Sequence, residues 1–185
     1  MAGGTDFNPQ KFKELLLYLA DRSGDDAGFG MTKLNKLLFF CDFKAFRSLG
    51  HSITGARYQK LPWGPAALEF LPLLEELVSE QRARVETHPR GDYEQRRTVS
   101  TGANTSVFTT EELALIDSIL DELRQLDATS VSNLSHEQSA GWNLVEERDL
   151  IPYETALVSM RHPSAAMFAH AERLAKERNW SEVRP

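Results

Sequence analysis

Cysteine is almost missing from this chain. Its one copy, Cys41, excludes an intramolecular disulfide and any cysteine-rich zinc site. No apolar run approaches the ~18 residues that a membrane-crossing helix needs. The start, MAGGTDFNPQ, lacks the basic region and apolar run of a signal peptide. A cytoplasmic home is therefore expected. GxGxxG, GxxxxGK(S/T) and GxSxG patterns are absent, so no phosphate loop or nucleophile elbow is announced. None of His51, His88, His136, His162 and His170 forms an i, i+4 pair, and a helical metal site is not expected. The adjacent pairs Glu75/Glu76, Glu111/Glu112 and Glu146/Glu147 do not face one another on a helix. The residues give no positive sign of an enzyme, a metal or a cofactor.

What is present suits a globular domain. The chain has 185 residues, 41% hydrophobic and 26% charged, with a net charge of −6. These values exclude disorder and low complexity, and the length favours one domain over 1–185. The net acidity argues against a general nucleic-acid binder.

Helical periodicity dominates. Asn8 and Pro9 suit an N-cap and first helical position, and Phe12, Leu15, Leu16 and Leu19 follow at helical spacing. A second helix is expected from a Thr32 N-cap to Gly50. Its apolar face of Leu34, Leu37, Leu38 and Cys41 is widened by Phe39, Phe40, Phe43 and Phe46, which places it at the centre of the core. Cys41 is then a small buried hydrophobe. The segment 52–61 has strand character. Pro65 is expected to open a helix through Leu68, Leu71, Leu74 and Val78 that is kinked or restarted at Pro72.

Residues 84–100 read as a β-hairpin turning at Pro89-Arg90-Gly91-Asp92. With the strand near 57–61, the hairpin is expected to make a three-stranded sheet. Phe108-Thr109-Thr110-Glu111-Glu112-Leu113 combines a capping box with a hydrophobic staple. Thr129 is expected to cap a short helix, Pro152 to break the chain, and Pro163 to open a last helix over 163–178. The expected fold is mainly α, with a small antiparallel β element packed on it and a core over about 8–160.

Charge is segregated. Between Met31 and Lys60 stand Lys33, Lys36, Lys44, Arg47, Arg57 and Lys60, against one acid, Asp42. Arg82, Arg84, Arg90, Arg96 and Arg97 add basic character around the hairpin. Such a stretch is either solvation of helix faces or a basic face for an acidic partner or nucleic acid.

Two motifs carry a resemblance. Lys33-Leu34-Asn35-Lys36-Leu37-Leu38 is followed by Trp63-Gly64-Pro65, and Leu134-Ser135-His136 by Trp142. In order and spacing these resemble the Panacea domain, the SocA-like antitoxin family that includes GepA-type phage-associated proteins. The family often has Tyr where Trp63 stands here, and Gln138-Ser139-Ala140-Gly141 looks inserted. The resemblance implies a bacterial or phage antitoxin, not an enzyme. Such a protein neutralises a cognate protein toxin by contact, in one case as an adaptor to a ClpXP-type protease. No cofactor, metal or membrane is implied.

On this reading Lys33, Lys36, Arg57, Tyr58, Lys60 and Trp63 are candidate partner contacts, with Lys33 and Lys36 exposed along one edge of the second helix. Gly64, Pro65, His136 and Trp142 are structural members of the motif. Two rivals remain. One is a winged-helix-like DNA-binding regulator with the hairpin as wing. The other is an enzyme in which His136 meets a distant carboxylate.

Overall fold

The computed structural model describes residues 6–91, 93–158, 169, 170, 173 and 176. The proposed helix over 163–178 lies almost wholly outside them. Within the described residues the fold is mainly α, with two small antiparallel two-stranded sheets.

Helix α1 spans Pro9–Arg22, and the Asn8 side chain accepts from the Lys11 N–H at 2.9 Å. Helix α2 runs Met31–Leu49 and ends on Gly50 in the left-handed conformation. It starts one residue earlier than Thr32, from Gly30, with no side-chain cap. α2 packs against α1, against α4 (Thr110–Leu123), against α5 (Ala128–Gln138) and against a 3₁₀ turn at Tyr153–Leu157. Its aromatic side chains therefore all find cover, and Leu34, Leu37, Phe39, Phe40, Cys41 and Phe43 are buried. Burial also raises the Cys41 thiol pKa, which keeps the sulfur protonated.

Three local expectations change. The strand at 57–61 shrinks to β1, Tyr58–Gln59, which pairs with β2, Ala66–Ala67. Its other edge meets residues 149–151 through Lys60 N–H to Asp149 O (3.0 Å) and Ile151 N–H to Tyr58 O (2.8 Å). A third segment does join this strand, but it is not the hairpin. The hairpin, β3 (Ala83–Arg90) with β4 (Tyr93–Ser100), forms its own sheet. Its Arg97 donates to the Ser23 and Gly24 carbonyls and its Arg90 to the Ala27 carbonyl, which clips it to the loop after α1.

Helix α3 starts at Phe70, not at Pro65, and ends at Ser79. Pro72 thus falls in its first turn, where amides have no intrahelical acceptor, so it produces no kink. The cap of α5 is Asp127, whose carboxylate accepts from Ser130 N–H at 2.8 Å, and not Thr129. The capping box of α4 forms as read. Thr109 Oγ1 accepts from Glu112 N–H at 3.2 Å, and Glu112 accepts from Thr109 N–H at 2.9 Å. Glu112 is buried and also holds Lys11 at 2.7 Å, which ties α4 to α1.

Candidate partner-binding site

The motif residues, distant in sequence, converge on one loop. Residues 61–65 lie in the connection from β1 to β2. Trp142, on the short helix α6 (Ala140–Leu144), donates its indole N–H to the Leu61 carbonyl at 3.1 Å. Lys36, on α2, donates to the Pro65 carbonyl at 2.8 Å. Gly64, between them, has φ +95°, and a Cβ there would lie 2.7 Å from Lys36 Cε and from Ser135 Oγ, and 3.1 Å from His136 Nε2. Only glycine lets the loop sit this close to α2 and α5.

His136 stacks on Trp142 with ring centroids 3.9 Å apart and planes 11° apart. The Lys60 ammonium lies 4.7 Å from the Trp142 ring centroid and donates to the Val145 carbonyl at 2.9 Å. This cation–π contact adds to the hold on the ring. Burial, then Lys36 and Lys60, lower the pKa of His136. The imidazole is therefore kept neutral, and among the described residues its buried Nε2 has no hydrogen-bond partner.

Several expected contacts are inside the protein. Lys33 is 1% exposed, bonded to Asp26 at 2.6 Å and to the Arg124 and Leu126 carbonyls. Lys36 is 3% exposed, and Tyr58 is buried with its hydroxyl donating to Asp42 at 2.8 Å. The expectation of an exposed Lys33/Lys36 edge is thus corrected, because α2 is packed on nearly every side. Arg57 is exposed and held by Glu69 at 2.7 Å. Trp63, at the tip of the clamped loop, is 79% exposed. Leu144, beside the Lys60 acceptor, and Leu150, paired with Gln59, are exposed as well. What this arrangement offers is an exposed aromatic side chain on a clamped loop, with exposed Leu144 and Leu150 on the segments that meet Lys60 and Gln59, which suits recognition.

The sequence reading missed two contributors. Ser139 caps α6 by accepting from Trp142 N–H at 3.0 Å. Gly141 lets α6 meet the 3₁₀ turn, since a Cβ would lie 2.3 Å from Thr155 Oγ1. The inserted-looking stretch therefore builds the support of Trp142. A Ser cap three residues before Trp142 was the available signal. A separate groove of about 790 Å³ has Phe39, Phe40 and Phe43 along it, and Lys44 and Glu122 line it too. It contains none of the residues of the clamped loop.

A family model described as antitoxin SocA-like, Panacea domain, matches residues 34–143. That span includes Lys36, the clamped loop, His136 and Trp142. No curated protein and no solved structure matches the chain.

Proposed function

This chain belongs to the SocA-like antitoxin, Panacea-domain family, and from that premise we propose that it neutralises a cognate protein toxin by direct binding through the face around Trp63. The observation that carries the reading is the convergence of both motifs on the loop that holds Trp63 outward. Tryptophan and arginine are enriched among residues that dominate binding energy, and exposed Arg57 supplies the second type. Lys60 contributes from behind, through Trp142. Lys33, Lys36 and Tyr58 act from within, as supports. Delivery of the bound toxin to a ClpXP-type protease would be a further step of the same interaction, and both would take place in the cytoplasm.

Binding rather than catalysis is favoured by the surroundings of His136. The charged groups that shift it are Lys36 and Lys60, and not the carboxylate that a general base would use.

The test is co-expression with the product of the adjacent gene. The expected result is rescued growth and a complex that survives purification. Absence of toxicity and of a complex would remove the proposal. Salt-sensitive binding of the operon promoter, without that complex, would favour the DNA-binding regulator instead.

A further inference from the structure

Helix α2 buries two lysines that are solvated differently. Lys33 has the Asp26 carboxylate and two backbone carbonyls. Lys36, one turn later, has one acceptor, the Pro65 carbonyl, and among the described residues it forms no ion pair. The titratable groups around it are His136 from α5 and, beyond that ring, Lys60. Neither supplies a negative charge. A buried ammonium without a counter-charge opposes folding. A methionine of similar length would fill the same space without that cost. What it would lose is the bond to Pro65.

That bond is one of two tethers on the loop. Trp142 holds Leu61 at one end, Lys36 holds Pro65 at the other, and Gly64 is wedged against Ser135 and His136 between them. Trp63 stands at the tip. We infer that Lys36 is a positioning residue, whose bond to the Pro65 carbonyl fixes residues 61–65 so that Trp63 is presented in one orientation to the partner. This deepens the toxin-binding reading and rests on it for the word "partner". An anchor already held in its bound orientation loses less freedom on binding. The surface it fits is an apolar slot that takes one indole ring.

The test uses the full chain labelled with 5-fluorotryptophan, with the Trp63 resonance assigned from Trp63→Phe. In the wild type, one Trp63 line is expected. Its shift should titrate with a midpoint near 8, the value to which burial lowers Lys36. In Lys36→Met the line should split or broaden and lose that titration. Thermal unfolding of the variant should show no loss of stability at neutral pH. A Trp63 line that stays as single and as sharp in Lys36→Met as in the wild type would overturn the inference. So would a line that titrates equally in both proteins. If Lys36→Met does not fold, Lys36→Leu, which likewise leaves the Pro65 carbonyl without its donor, takes its place. These readouts need no toxin, so their failure is distinct from failure of the antitoxin reading, which co-expression with Trp63→Ala reports.

Discussion

At the scale of single residues, α2 shows what spacing conveys and what it does not. Lys33 and Lys36 are three apart, so they share an edge of the helix, and this was legible. Which way that edge faces depends on α4, α5 and the 61–65 loop, all far away in sequence. The consequence is energetic. Burial lowers Lys36 from 10.5 to about 8, a cost of about 3 kcal/mol at neutral pH. The unfolded chain binds more protons than the folded one between those two values. Stability attributable to Lys36 therefore rises as pH climbs through that window. Urea unfolding at pH 7 and pH 10 should show that rise reduced in Lys36→Met.

Glu14 behaves in the opposite sense. Burial alone would raise its carboxyl, but the Arg82 guanidinium, at 2.9 Å through both nitrogens, and the Asn104 N–H outweigh it, and the net shift is downward. Its stabilisation is complete above the ordinary carboxylate value of 4.5 and is lost as pH falls through the lowered folded value. Arg82→Ala, which strands a buried charge, should cost about 3 kcal/mol at neutral pH in chemical denaturation.

At the scale of elements, local chemistry was readable and non-local pairing was not. The α4 capping box lies within four residues, and it formed as the sequence indicated. Thr109→Ala should lower stability by about 1 kcal/mol, measured by urea unfolding. The sequence reading places the α5 cap two residues too late, at Thr129. Asp127 takes the place because its carboxylate reaches Ser130 N–H. The sheet was harder. Tyr58–Gln59 could not be assigned partners from alternation, since one neighbour is eight residues on and the other follows α6. Gly141 illustrates the same limit, because its need for a bare Cα comes from Thr155 and Ile151 across an interface. Gly141→Ala should destabilise by about 2 kcal/mol in thermal or chemical unfolding, as overpacking does. It should also disturb the His136–Trp142 stack.

At the scale of the whole molecule, the basic run of the first third is largely matched internally. Lys33 meets Asp26, Lys44 meets Glu122, Arg57 meets Glu69, and Lys36 and Lys60 end on carbonyls. A charge run in sequence is therefore only in part a basic surface in the fold, where Arg47 and Arg57 remain exposed. The family motif was legible because its residue types and order survive in the chain. Its geometric purpose was not, because the clamp joins residues from α2, the β1–β2 loop, α5 and α6. An aromatic anchor with few free charges predicts a complex whose affinity changes little between low and high salt, measured by titration calorimetry. Steep salt dependence would point to charged contacts elsewhere on the protein.

The most direct measurement is co-expression of Trp63→Ala with the adjacent-gene toxin, together with a check that the variant keeps its fold. Trp63 is exposed, so its loss should leave thermal stability near that of the wild type. The account predicts that growth rescue and the purified complex are both lost. Full rescue by a folded Trp63→Ala protein would contradict it.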